Sequence, residues 1–388
     1  MSIRAAEVDE HATGASGLSL AQSGGVVFVD ESQLIGASSD AGALEQASAT
    51  GEALFLRNVI TSGYAHSVVV AGSSVTASAD VPAYASYPAV VLKEAGAPAK
   101  SLGLAVEDTP LSTWGDPTSD WADVDTFGAK GDGTTDDTVA IQAAMSSGKP
   151  VVVFPKPSYL WKTTVSIPAS VLRVDFMYSD VSGTVAIDAP STTPVRLSYH
   201  PGYASVVLKA ARPVVLADWS GDFGNPGANV ANVYLENVAN IGADEYFCPA
   251  GQTTWARCLN DEQGSGATAD IWASGGTLWI YDYKTENKAV TSVVAMPGAR
   301  VEVLNGYVNM TEAPGSTPMI ANVGGTMTFL GFTNLGAAIQ GPFRDVIEQQ
   351  DDAGTEGLGY DAGFGHALPA RGGTYAADFV IPFYLGGP

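Results

Sequence analysis

The chain holds 388 residues, 15% of them charged and 46% apolar, with 44 Gly and 22 Pro. So many chain breakers and so few charges exclude a helical bundle or coiled coil, and the length suits either two domains or one elongated solenoid. A net charge of −23 argues against phosphate backbones and anionic headgroups as partners, and no stretch approaches the ~18 apolar residues of a spanning helix.

Residues 1 to 21 open MSIRAAEVDEHATG, without the charged-then-apolar pattern of a signal peptide, and read as irregular. From residue 22 to about 98, GGVVFVDES and GEALFLRNV predict two or three coils of short strand. Ser101 to Trp121 is rich in Pro, Ser, Thr and Asp without periodicity, so it reads as a connection. The expected organisation is an N-terminal β region (1–100), a linker (101–120), a main β body (121–340) and a tail with a terminal strand (341–388).

One helix is well signalled. In FGAKGDGTTDDTVAIQAAMSSGKP, Thr135, Asp136 and Asp137 supply N-cap oxygens, and Val139, Ile141, Ala144 and Met145 an apolar side. Gly148-Lys149-Pro150 then stops it. Standing before the strand PVVVFP, it reads as a cap over a solenoid's open end, with a domain start near Trp121. Asp132, Asp136 and Asp137 invite reading as paired catalytic carboxylates, but aspartates at a helix start already serve free backbone amides.

Further along stand PVVLADW, after Arg212, and NVYLENV, from Asn232. Then come three segments of one shape: GGTLWIYDYKTE from Gly275, GARVEVLNGYVN from Gly298 and GGTMTFLGFTNL from Gly324. Aligning Leu278, Val301 and Met327 gives steps of 23 and 26 residues, and Ile280, Val303 and Phe329 keep the same face apolar. Glycine-entered strands at that step predict a parallel β-solenoid; an antiparallel sandwich gives no reason for the repeat. The stretch 351–374 reads as irregular, and FVIPFYLGGP regains strand character.

Cys248 and Cys258 flank a short loop, which leaves a disulfide and two free thiols both open. His11, His66, His200 and His366 are scattered, so no metal site or other cofactor is expected.

The candidate site lies in the middle coils. Trp255, Asp261 and Glu262 come from WARCLNDE; Trp279, Tyr281, Asp282, Tyr283, Lys284 and Glu286 come from the best repeat. If Leu278 and Ile280 point inward, Trp279 and Tyr281 point outward. Aromatics beside carboxylates suit sugar recognition, because pyranose faces stack on rings while hydroxyls bond Asp, Glu and Lys. Trp255, Trp279, Tyr281, Asp282 and Lys284 are thus the expected binding residues. Asp261 or Glu262, paired with Glu286, would be the acid and base of a hydrolase.

FGAKGDGTTDDTVAIQAA, a following VVFP strand and the Tyr159-Leu160 pair resemble the opening signature of the pectate-lyase-like superfamily. Those right-handed parallel β-helices include polygalacturonase-related proteins and phage tailspikes. From Gly51 to Pro388 the chain is also similar to glycosyl hydrolase family 28-related proteins, which tend, like the family 55 exo-1,3-glucanases, to carry two β-helices side by side. The resemblance implies an all-β, right-handed parallel β-helix with a capping helix and the last coils of a smaller first helix. It also implies an extracellular or virion location, and tailspikes imply a homotrimer. The polygalacturonase set of NTD, DD, GHG and RIK is absent. The expected function is polysaccharide recognition along the outer face, with a glycoside hydrolase acting on a glucan and a structural spacer as alternatives. A partner chain stacking on the N-terminal coils is a further expectation.

Overall fold

The computed structural model describes residues 2–4, 6–10, 16–20, 25–36, 41–47, 52–76, 79–86, 89–93, 101–111, 115–200, 202, 204–225, 229–239, 246–262, 268–286, 290–309, 316–335, 343–359 and 379–388. The chain winds as a parallel β-solenoid in which each strand pairs with its equivalent one coil later. One long sheet runs from Trp121–Asp123 to Thr326–Leu335 and is closed by the antiparallel strand Phe379–Gly386. Shorter parallel sheets form the other sides. Leu278 pairs with Val301 and Val301 with Met327; Ile280, Val303 and Phe329 follow in the same register, and all are buried. Each such side chain contributes about 1.5–3 kcal/mol, but only because the next coil covers it.

Glycine sets where the later coils begin. Gly275, Gly298 and Gly324 have φ of 90°, 79° and 78°, a left-handed conformation that strains any residue with a Cβ. The strands that follow turn a second corner within their own length. Tyr199, Asp218, Asn237, Cys258, Asp282 and Asn305 all have φ between 46° and 63° and occupy equivalent places on successive coils. Asp and Asn tolerate this region better than other side chains, and they fill it at four of these coils.

The helix Thr138–Met145 packs over the strand Val165–Ile167 and buries Ile141, Ala144 and Met145. Two details differ from expectation. Val139 is 83% exposed and takes no part in the apolar side. Thr135 lies in the strand Asp132–Asp136, and the Asp137 carboxylate accepts from the amides of Lys130 (2.6 Å) and Gly131 (3.1 Å), bracing the preceding turn. Asp136 serves the helix start, accepting from the Thr138 amide at 3.1 Å. Asp132 accepts from Thr135 and Thr134, bonds that hold its carboxyl below the usual range. Turn and cap duties therefore occupy all three aspartates.

Residues 1–21 are not wholly irregular, since Ser2–Arg4, Glu7–Glu10 and Leu18–Leu20 form a first coil. It stacks on Gly25–Asp30, Gln33–Gly36 and Gly42–Gln46, and these on Glu52–Ser62 and His66–Val70. Val27, Val29, Leu44, Leu54, Leu56 and Val68 make its own core. Strands Ser73–Thr76 and Asp80–Ala85 close this small β-helix antiparallel. At the other end of the chain, Gly354–Gly359 forms a hairpin with Asp345–Asp351. Residues 360–378, which hold most of the expected irregular tail and His366, lie outside the described residues, as does His11.

Candidate functional site

Trp255, Trp279 and Tyr281 do point away from the solenoid's interior, yet the face they form is closed. Their exposures are 5%, 0% and 7%. The small β-helix lies against this face, and Phe28 and Phe55 join Tyr234, Trp255, Trp279, Tyr281, Leu304 and Leu330 in a second core. The segment 101–111 fills the seam: Trp255 Nε1 donates to the Ala105 carbonyl (3.0 Å), and Glu302 accepts from the amides of Gly103 (3.1 Å) and Leu104 (3.0 Å). Arg57 reaches across from the small helix to buried Glu302 at 3.2 Å. The guanidiniums of Arg4 and Arg257 stand 5.4 and 5.3 Å from the Trp279 ring. An outward apolar stripe needs cover as much as an inward one does, and here the same chain supplies it. These three aromatics therefore join the two bodies and do not reach a ligand.

Asp261 is also withdrawn. Beyond the corner, alternate residues again point inward, and Asp261 is fully buried beside Tyr283. Tyr283 in turn donates to Asp270 at 3.1 Å, as does Thr285 at 3.2 Å. Burial pushes the Asp270 carboxyl up to about 8. This acidic nest is sealed inside the coil, so Asp261 cannot meet a polymer outside it.

Glu262, Asp282, Lys284 and Glu286 remain outside, and the geometry brings Glu262, Lys284 and Glu286 together. Lys284 Nζ donates to Glu262 and lies 3.1 Å from Glu286 Oε1, while Asn260 Nδ2 donates to Glu262 Oε1 at 2.9 Å. Burial works against the Lys284 charge, but the two glutamates outweigh it and hold the ammonium above its ordinary value. Two registered rows extend this group along the axis. The corner row runs Asp218, Asn237, Cys258, Asp282, Asn305; the row beside it runs Ser220, Ala239, Asn260, Lys284, Tyr307. Hydrogen bonds tie neighbouring coils, Asn237 Nδ2 to Asp218 Oδ1 at 2.8 Å and Asn305 Nδ2 to Asp282 Oδ1 at 2.6 Å. The result is a partly solvated strip of amide, carboxylate, ammonium and phenol groups across five coils. Reading the sequence missed its corner row apart from Asp282, although Asp282 after Gly275 and Asn305 after Gly298, at the same distance past a turn glycine, were a usable signal.

The two cysteines are not bonded. Cys248 faces the interior and Cys258 sits exposed on the corner row. Among the described residues no group of three His, Cys, Asp or Glu side chains stands together as metal ligands would.

Two parallel β-helices lying side by side, with a polar strip along the outer flank of the larger, define the class of protein. Within it, residues 121–177, the opening coils with their helix, match the family model described as Rhamnogalacturonase A/epimerase, pectate lyase-like. A solved structure, ORF18 of Geobacillus virus E2, is similar at 17% identity with a TM-score of 0.23, over 54% of this chain and 47% of that one. The match thus spans about half the length of that protein. No curated protein matches the sequence. Among the described residues no helix is long and apolar enough to cross a membrane.

Proposed function

We propose that this chain recognises a polysaccharide along the outer strip of its larger β-helix, as part of a virion tail or another extracellular surface. The observation that carries the reading is the strip itself. A solenoid repeats its outer groups at one coil spacing, about 4.8 Å, so it presents an extended polymer with a ladder of similar contacts. Amides, carboxylates and an ammonium held in register suit sugar hydroxyls, which both donate and accept. The pectate-lyase-like match over residues 121–177 supports a polysaccharide-related role. Homotrimeric assembly about the long axis belongs to the same proposal and is read by sedimentation.

The test is binding to an array of immobilised glycans. Lys284→Ala releases Glu262 and Glu286 from their shared cation and should weaken binding about tenfold, the effect of one lost charge-assisted contact. Unchanged affinity across the array for this variant and for Glu286→Gln would count against the strip as the binding surface.

Glycoside hydrolysis is a second reading, favoured by one observation: Glu262 and Glu286 converge from adjacent coils on one ammonium. However, a general acid must arrive protonated, whereas both carboxylates here accept from Lys284. Release of reducing ends by the native protein, abolished in Glu286→Gln, would favour the enzyme.

A further inference from the structure

We propose that Tyr178 and Tyr199 form an aromatic stacking subsite at the N-terminal end of the strip, and that the glycan it receives carries no carboxylate or sulfate groups. This deepens the reading above and rests on it. Tyr199 is the corner residue one coil before Asp218, in the same left-handed conformation (φ 61°), and the Tyr178 amide donates to the Tyr199 carbonyl at 2.8 Å. Tyr178 also has φ 62°, and Met177 before it φ 50°. A bulky side chain in that region costs about 1–2 kcal/mol relative to a relaxed backbone. Four later coils hold Asp or Asn there, which lowers the cost. At Tyr178 little burial offsets it, since that side chain is 65% exposed. The two rings stand 5.3 Å apart and tilted by 42°, a shallow, open aromatic surface in line with the polar rows. Strain retained at an exposed aromatic points to selection for contact with a ligand, and a ring face in water suits the apolar face of a pyranose.

Charge narrows the class of sugar. Following the strip from the tyrosines, a polymer meets Asp218, Asp282, Glu262 and Glu286, against Lys284 as the cation among the described residues, and the whole chain carries −23. A polyuronate or sulfated glycan would be repelled along its length, whereas a neutral one would not.

The experiment measures affinity of the full chain for soluble β-1,3-glucan, for an array of other neutral glycans and for polygalacturonate. Tyr178→Asn and Tyr199→Asn place at these corners the residue type that Asn237 and Asn305 already use, so both variants should melt no lower than the native chain. The expected result is a neutral glycan bound by the native chain, weakened about tenfold in each variant, with polygalacturonate bound more weakly than the neutral ligand. Loss of affinity in Lys284→Ala with none in the tyrosine variants would overturn the subsite and leave the strip standing. Tighter binding of polygalacturonate would overturn the assignment of sugar class. Absence of native binding to every probe would remove the strip reading and this inference together.

Discussion

Asp270 shows how far a single side chain can set the response of this protein to pH. Its carboxyl keeps its proton to about pH 8 in the folded coil, against a reference of 3.8 in the open chain, because burial disfavours the charge. The folded state therefore binds the proton more tightly, and the stability this group contributes is complete below about pH 4 and drains away as pH rises toward 8. The ceiling is about 1.4 kcal/mol for each pH unit of that interval. Asp270→Asn keeps an acceptor for Tyr283 and Thr285 and removes the titration. Melting temperatures of native and variant chains should therefore diverge progressively between pH 4 and pH 8, the variant gaining; a constant difference would refute the assignment. Asp30, which burial pushes up to about 7, remains in both proteins and cancels in the comparison, as does His200, held low by burial.

At the scale of the element, the governing unit is the strand with a corner in it. Left-handed backbone there divides an inward run such as Leu278 and Ile280 from a second inward run such as Tyr283 and Thr285. Asn305→Val should cost about 2 kcal/mol in chemical denaturation, combining left-handed strain with loss of the bond to Asp282, while Asn305→Gly should cost less than the valine. Equal costs would show that the corner's conformation matters little. The same corner explains what could be read from the sequence and what could not. Period-two alternation before the corner is intact, so the stacking of Leu278, Val301 and Met327 was legible, as was the outward direction of Trp279. Carrying that period through Asp282 takes no account of the turn, and residues beyond it, Asp261 among them, come out on a face that alternation alone does not fix.

For the whole molecule, direction and exposure are separate questions. Alternation could turn Trp255, Trp279 and Tyr281 outward, but it could not say that another part of the chain would lie on them. That depends on contacts between residues more than a hundred positions apart, such as Trp255 with Ala105. Apolar residues on two faces of one strand were the available hint: a solvated solenoid needs only one. Arg57 and Glu302 hold the two bodies in register. Removing one member of a buried ion pair strands the other, so Arg57→Ala should cost about 3–5 kcal/mol and make the seam near residues 101–111 sensitive to protease. Arg57→Met with Glu302→Gln should recover much of that loss. If the single variant is as resistant as the native chain, the pair does not secure the joint.

The placement of that seam also has a consequence in time. Phe28 and Phe55 leave the ribosome with the first coils, whereas Leu304, Leu330 and Leu385, which share their core, are hundreds of residues behind. While the chain is being made, the small body thus travels with a bare, sticky flank whose cover is completed by the late-born coils.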